Sequence, residues 1–165
     1  MKNISVKAVA AALFAATLGV PSLGIAATAP SLATRAAAGV NRVHSIYAFD
    51  DTVAHIKADV AAKGIKFFDE IDQSRLGEDA KIAIPHSKLL LFGNPPLGVQ
   101  FLSANPYAGL DWPVRMLVVE DTDGSVWVAW TDFGYLKKRY ALTGRDAALK
   151  MATMVSASIA ASTTK

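Results

Sequence analysis

Cysteine is absent from the 165 residues of this chain. Its absence excludes disulfide bonds, zinc sites with cysteine ligands, iron–sulfur clusters and a thiol nucleophile, because each needs a cysteine side chain. Histidine is scarce as well, and His44, His55 and His86 show no pairing at the spacing of metal ligands. His55 lies four residues before Asp59, which predicts a surface pair on a helix. The sequence therefore predicts no metal site and no cofactor. It also predicts no catalytic residue of the kinds found in Gly-x-Ser-x-Gly hydrolases.

The sequence also lacks a large excess of positive or negative charge. Lysine and arginine together number 17 against 14 aspartates and glutamates, which gives a net charge of +3. Without Lys2 and Lys7 near the N-terminus, the balance is 15 minus 14, or +1. The one basic run, at 137–139, is typical of a solvated helix face. Nucleic-acid binding depends on clustered cations, so we expect no nucleic-acid partner.

The longest hydrophobic run lies at the N-terminus. Residues 8–20 are mostly apolar and follow Lys2 and Lys7, and Gly24 and Ala26 are small residues at the positions that a signal peptidase reads. This series predicts a secretory signal peptide at 1–26. The apolar stretch is shorter than the ~20 residues of a spanning helix, so we expect no stable membrane anchor. The mature protein should begin near Ala27 and be periplasmic or secreted.

The rest of the chain divides into a short lead-in and one domain. Residues 27–39 are rich in alanine, threonine, serine and proline without a hydrophobic period, which predicts a flexible segment. Residues 40–165 are enough to bury roughly two-thirds of their unfolded surface in a single core. We therefore expect a single domain over 40–165.

Hydrophobic periodicity predicts the elements of that domain. Strands are expected at 43–47, 65–71, 88–92, 114–120 and 126–130, with a hairpin turn at Asp123-Gly124. Helices are expected from an N-cap at Asp50 to Gly64, at 95–104 after Asn94, and from 143 or 144 onward. A short helix is expected at 133–140, and residues 72–84 read as irregular, with one helical turn at most. The main order is strand-helix-strand-strand-helix-strand-strand-helix. That order, with two strands joined by a hairpin and helices covering one face, predicts an α+β sandwich.

Several segments resemble the sequence signatures of the Domain of Unknown Function 302 family. They are 85–95 (PHSKLLLFGNP), 111–121 (DWPVRMLVVED), 124–130 (GSVWVAW) and Tyr135-Leu136 with Arg139. They occur in order over about 40–142. The resemblance implies a TATA-box-binding-protein-like α+β fold, which is an antiparallel curved sheet packed on helices. It implies nothing about DNA binding, because fold and function are separate.

The resemblance also draws attention to two positions where this chain departs from the family pattern. Members of the family often carry histidine after an Ile-Asp pair and again after the final arginine, whereas this chain has Gln73 after Ile71-Asp72 and Tyr140 after Arg139. A histidine-based activity implied by the family is therefore not expected of this chain.

Five polar residues in predicted loops and at helix ends are the candidate ligand-binding residues: Asn94, Asn105, Asp111, Tyr135 and Arg139. Polar loop residues held by a rigid sheet are where binding sites usually occur, and they are also where caps and turns occur. Both interpretations stay open at the level of sequence. Under the first interpretation, we expect Asn94, Asp111 and Arg139 to converge at one end of the sheet.

Two classes of function fit these residues. The first is a non-catalytic binding module that holds a small apolar or anionic ligand, or a protein partner, in the groove between sheet and helices. The alternative is an enzyme in which Asp111 performs acid–base chemistry with Arg139 as its electrostatic partner. Trp127 and Trp130 should point to opposite faces of one strand. One of them then belongs to the core, and the other suits a ligand or a homodimer contact.

Overall fold

A computed structural model describes residue 31 and residues 37–165. The predicted signal peptide and most of the predicted lead-in lie outside these described residues and stay predictions. The strands are β1 (Val40–Ser45), β2 (Lys66–Asp72), β3 (Ser87–Gly93), β4 (Val114–Glu120) and β5 (Val126–Thr131). The α-helices are α1 (Phe49–Ala62), α2 (Gln73–Asp79), α3 (Pro95–Ala104), α4 (Phe133–Arg139) and α5 (Asp146–Ala161). A 3-10 helix covers Pro106–Leu110.

Short polar side chains begin three of the helices. The side chains of Asp72, Asn94 and Asp132 accept hydrogen bonds from backbone N–H groups in the first turns of α2, α3 and α4. Between β4 and β5, Gly124 has a φ of +82°, a conformation that glycine adopts at little cost. These local signals fix where the helices start and how the β4–β5 hairpin closes.

All five strands form one antiparallel sheet in the order β1-β5-β4-β3-β2. Met116 of β4 lies opposite Trp130 of β5 on one side and Leu90 of β3 on the other. Directly paired residues share a face of the sheet, so these three side chains lie on the same face. We call it the inner face, because α1 and α5 pack on it. The opposite face is the outer sheet face.

The hydrophobic core lies between the inner face and the helices. Leu90, Met116 and Val128 are fully buried there against Ile56 of α1 and Ile159 of α5. A second buried cluster forms beside it from side chains of α3, α4, α5 and the 3-10 helix. The core therefore holds the helices to one face of the sheet and joins the ends of β3 and β4 to α3 and α5.

The predicted α+β class, the antiparallel sheet and the order of the main elements are confirmed. Three details of the prediction are wrong. Residues 73–79 form the 7-residue helix α2, which is longer than the single helical turn expected there, because Asp72 accepts a hydrogen bond from the N–H of Arg75 and begins a helix. Helix α1 begins at Phe49 with Ala48 at its N-cap, so Asp50 lies in the first turn, where a carboxylate is favourable. Helix α5 begins at Asp146, later than expected.

Candidate functional site

Asp111 is the centre of a polar cluster that two separate segments form. It follows the 3-10 helix, whereas Arg139 and Tyr140 come from the end of α4. The hydroxyl of Tyr140 donates a 2.5 Å hydrogen bond to Oδ2 of Asp111, and Nη1 of Arg139 lies 3.3 Å from the same oxygen. The structure thus brings Asp111 and Arg139, two of the predicted site residues, within ion-pair distance.

Asp111 and Tyr140 are enclosed, whereas Arg139 reaches solvent. The side chain of Asp111 is 13% exposed and that of Arg139 is 47% exposed, and Tyr140 is buried. Burial, together with the hydrogen bond to the Asp111 carboxylate, raises the pKa of Tyr140 above its ordinary value. The tyrosine therefore keeps its proton at neutral pH and stays a donor to Asp111.

Asn105 supports this cluster from the backbone side. Its Nδ2 donates a 2.9 Å hydrogen bond to the carbonyl oxygen of Tyr140, and its Oδ1 accepts one of 3.0 Å from the N–H of Tyr107. One side chain thus connects the start of the 3-10 helix with the end of α4. Because those segments carry Asp111 and Tyr140, Asn105 has a positioning role in this geometry.

A cavity of about 360 Å³ lies between the sheet, α3 and α5, and we call it the apolar cavity. Its walls include Phe92 and Val114 from the sheet, Leu97 and Phe101 from α3, and Ala152 and Val155 from α5. Three polar side chains join this lining: Lys63, Asn94 and Ser156. The arrangement offers an apolar ligand a large contact area and a few hydrogen-bonding or charged groups.

Trp112 lies between the apolar cavity and the polar cluster. Trp112, Phe101 and Phe133 line the apolar cavity and also a much smaller space that Asp111 borders. Gly98 of α3 allows the indole to approach closely, since a methyl group built at Gly98 would overlap the ring of Trp112. The indole of Trp112 therefore forms part of the wall between the apolar cavity and the smaller space beside Asp111.

The other predicted site residues, Asn94 and Tyr135, have different environments. Asn94 caps α3 through a 3.3 Å hydrogen bond from the N–H of Leu97, and it lines the apolar cavity. Tyr135 is exposed on α4, where its ring packs on Gly39 and borders a separate surface pocket. The structure therefore distributes the five predicted residues over the polar cluster, the apolar cavity and the surface of α4.

The sequence patterns did not identify several residues of the polar cluster and of the apolar cavity. Tyr140 was noted only as a departure from a family pattern, and Lys63, Met151 and Ser156 of the apolar cavity were not singled out. Met151 and Val155, like Ala152 and Ser156, follow the i, i+4 spacing of one helix face, a signal that also describes an ordinary core helix. Among residue 31 and residues 37–165, no group of three or more histidine, aspartate or glutamate side chains is arranged to hold a metal ion.

The chain is similar in sequence and in fold to known proteins. Residues 41–161 match the model of the family described as Domain of unknown function DUF302. The chain belongs to the DUF302 family. A crystal structure of an uncharacterized conserved protein DUF302 from Bacillus stearothermophilus superposes with a TM-score of 0.70 at 12% sequence identity. The match covers 77% of this chain and 99% of that chain, and it shows the fold.

Among curated proteins, the DUF302 chain is similar to part of longer Brucella proteins. It is 30% identical over 122 residues to "Fluoride-specific ion channel FluC 1" of Brucella suis biovar 1, covering 73% of this chain and 48% of that protein. The protein of the same name from Brucella abortus biovar 1 matches with 30% identity over 45% of its length. The chain thus spans a little under half of these relatives. No helix in the described part of the chain has the length and hydrophobicity to cross a membrane.

At both positions where this DUF302 chain departs from its family pattern, the side chain makes a hydrogen bond within the fold. Gln73, at the start of α2, accepts a 2.8 Å hydrogen bond from the hydroxyl of Ser87. Tyr140 donates to Asp111, as described above. Where the resemblance implies a histidine after Arg139, this chain therefore has a phenol whose proton is held by a carboxylate.

Proposed function

We propose that this DUF302 domain is a non-catalytic binding module that holds a small, mainly apolar ligand in the apolar cavity. The observation that supports the proposal is the cavity itself, with a volume of about 360 Å³ and walls made largely of aliphatic and aromatic side chains. Sites for small ligands usually have volumes of ~300–1,000 Å³ and an apolar lining with few polar groups. The cavity has the expected size and chemistry for a ligand of modest size.

The polar part of the lining suggests that the ligand carries one polar or anionic group. Lys63 supplies a positive charge, although its Nζ also lies 2.5 Å from the carboxylate of Asp59. Asn94 and Ser156 supply an amide and a hydroxyl. A ligand with an apolar body and a single hydrogen-bonding or carboxylate end would match this lining, because a buried polar group needs a partner.

The alternative, an enzyme that uses Asp111 and Arg139, has less support from the geometry. Oδ2 of Asp111 already accepts from Tyr140 and lies beside Arg139, so its partners come from the protein itself. A general base must reach a proton of the substrate. We therefore assign the polar cluster a positioning role, in which it holds α4 beside the wall of the apolar cavity.

A fluorescent apolar probe tests the binding proposal. We expect N-phenyl-1-naphthylamine to bind the purified protein saturably, with one site per chain, and decanoate to displace it. Native mass spectrometry of the same preparation should show any small molecule that copurifies. Absence of saturable probe binding, together with absence of a copurified molecule, would refute the proposal.

Substitutions on α5 locate the binding. Ala152 is buried and lines the apolar cavity, so Ala152→Leu adds volume inside it and should weaken probe binding about tenfold or more. Val155→Phe fills the same space from the next turn and serves as a second variant. Ala157→Leu, at an exposed position of the same helix, is the matched control and should bind like wild type. If Ala152→Leu and Ala157→Leu weakened probe binding equally, the probe would bind outside the apolar cavity.

We further propose that the protein works outside the cytoplasmic membrane. The support is the sequence of 1–26, with its lysines, apolar stretch and small residues at 24 and 26. N-terminal sequencing of the mature protein should give a start near Ala27. Recovery of the chain from the cytoplasmic fraction alone, with Met1 intact, would contradict this proposal.

A further inference from the structure

The hydroxyl of Ser156 differs from the other buried hydroxyls of the described residues. The buried serine and threonine side chains there are Ser45, Thr52, Ser87, Ser156 and Thr163. All except Ser156 hydrogen-bond within the fold, as Thr163 does to the carbonyl oxygen of Ala160 at 2.7 Å. Ser156 is 1% exposed, and no group in the described part of the chain hydrogen-bonds its hydroxyl. Buried polar groups are nearly always hydrogen-bonded, so this exception needs an explanation.

The surroundings on α5 show what a helical hydroxyl normally does. A serine or threonine in a helix commonly donates to the carbonyl oxygen about one turn earlier. Thr153 donates in this way to Leu149 at 2.9 Å, and Ser162, just after the helix, donates to Ile159 at 2.7 Å. Ser156 lies between them on the chain and makes no such bond. Its oxygen therefore keeps its hydrogen-bonding capacity for a group outside the helix.

The oxygen of Ser156 borders the apolar cavity. No fully enclosed side-chain nitrogen or oxygen of the described residues lacks a hydrogen-bond partner. Because the Ser156 oxygen has no partner there, it must open onto space, and the space that Ser156 lines is the apolar cavity. The neighbouring lining residues on α5 are Ala152 and Val155, which offer no hydrogen bond. An unpaired polar group among apolar walls favours a ligand that supplies the missing partner.

The other polar groups of the cavity lie at its rim. Lys63 and Asn94 are exposed, whereas Ser156 is buried. Lys66, at the start of β2, pairs with Gly93, at the end of β3, so Lys63 and Asn94 lie near the same end of this strand pair. The apolar cavity therefore has a polar rim and, apart from it, one hydroxyl in its interior.

We propose that the ligand of the apolar cavity carries a hydroxyl or keto oxygen part-way along its apolar body and that Ser156 binds this oxygen. The ligand class is then an oxygenated medium-chain carboxylic acid, with its carboxylate at the rim beside Lys63. This inference rests on the proposed function and adds a specificity-determining residue to it. A site built to hydrogen-bond a ligand oxygen rejects the analogue that lacks it, because the polar group of the site is then left unpaired.

Displacement of N-phenyl-1-naphthylamine measures this specificity. The competitors are decanoate, the 3-, 5-, 8- and 10-hydroxydecanoates and 5-oxodecanoate. We expect wild type to bind the best oxygenated acid about tenfold or more tighter than decanoate. Ser156→Ala should abolish this preference and leave the affinity for decanoate unchanged or higher. Ser158→Ala, at an exposed position of the same helix, is the matched control and should keep the preference.

The stability of the free protein provides an independent measurement. Alanine is the better helix former, and the hydroxyl of Ser156 makes no bond that the substitution would remove. Ser156→Ala should therefore unfold at the same urea concentration as wild type or at a higher one. If Ser156→Ala were clearly less stable than Ser158→Ala, the hydroxyl would have a partner within the fold, and the inference would be wrong.

The binding outcomes distinguish this inference from the proposed function. If the probe bound saturably and decanoate displaced it, but no oxygenated acid bound more tightly than decanoate, only the inference would be overturned. A preference that persisted in Ser156→Ala would also overturn it, since another group would then bind the oxygen. Absence of saturable probe binding would refute the proposed function and the inference together.

Discussion

The hydrogen bond between Tyr140 and Asp111 should contribute more to stability than the ion pair between Arg139 and the same carboxylate. Tyr140→Phe removes one hydroxyl and leaves a largely enclosed carboxylate short of a donor. Hydrogen bonds to charged groups contribute about 1.5–3 kcal/mol, so we expect the free energy of unfolding to fall by about that amount. Arg139→Ala removes a guanidinium whose side chain is 47% exposed, so water screens the pair and the loss should stay below about 1 kcal/mol.

Urea denaturation followed by circular dichroism measures both losses. Tyr135→Phe is the matched control, because it removes the same hydroxyl from an exposed ring on the same helix, and it should change stability by no more than about 0.5 kcal/mol. If Tyr140→Phe were as stable as the control, or if Arg139→Ala were the more damaging variant, the assignment of the cluster would be wrong.

The hydrogen bond between Tyr140 and Asp111 also predicts that the stabilities of wild type and Tyr140→Phe depend differently on pH in the alkaline range. The pKa of Tyr140 is raised in the folded state, first by burial and then by the hydrogen bond to Asp111. Its contribution to stability is therefore complete below the unfolded pKa of about 10 and is lost as the pH rises through the folded pKa. Wild type should lose stability across this alkaline range more steeply than Tyr140→Phe, so the gap between them should narrow. Parallel curves for the two proteins would contradict the shift.

Three further substitutions test the geometry around the site. Gly98→Ala should destabilise the domain by about 1–3 kcal/mol, since its methyl group would overlap the indole of Trp112, and unchanged thermal melting would contradict the close approach. Gly124→Val should cost about 1–2 kcal/mol, because its φ of +82° is unfavourable for a branched residue, and calorimetry would detect this. Asn94→Ala should cost about 1 kcal/mol through the lost cap of α3, which urea denaturation would show.

Sequence reasoning predicted the fold well because its strongest signals are local. Asn94 before a proline, Asp132 before a short helix and Gly124 after an aspartate each act within a few residues, and each has the predicted local role in the structure. The exceptions are also local. His55 was expected to pair with Asp59, but that carboxylate lies 2.5 Å from Lys63, and the imidazole stacks on Tyr47. Because His55 and Lys63 each lie four residues from Asp59 on the helix, the spacing allows either as its partner and does not show which one pairs.

The polar cluster and the apolar cavity could not be predicted from local signals, because both depend on contacts between distant segments. Asp111 and Arg139 were grouped because Asp111 precedes the predicted strand hairpin and Arg139 follows it on the short helix. Tyr140 was not, although it is the closer partner of Asp111, because its ring is buried only once α4 packs on α5. The apolar cavity combines side chains from β3, β4, α3, α4 and α5 with Lys63 and Ile65, which follow α1. Each of its apolar residues, taken alone, has the pattern of an ordinary core residue.

The sheet separates the apolar cavity from the outer sheet face, since alternate residues of each strand lie on opposite faces. In β4, Val114 lines the apolar cavity and Leu117 lies on the outer sheet face. Effects of substitutions that share no neighbours add, so Leu117→Lys should leave probe binding unchanged, whereas Ala152→Leu should weaken it. Titration of both folded variants with the fluorescent probe measures this difference. If Leu117→Lys abolished probe binding in a folded protein, the probe would not bind in the apolar cavity.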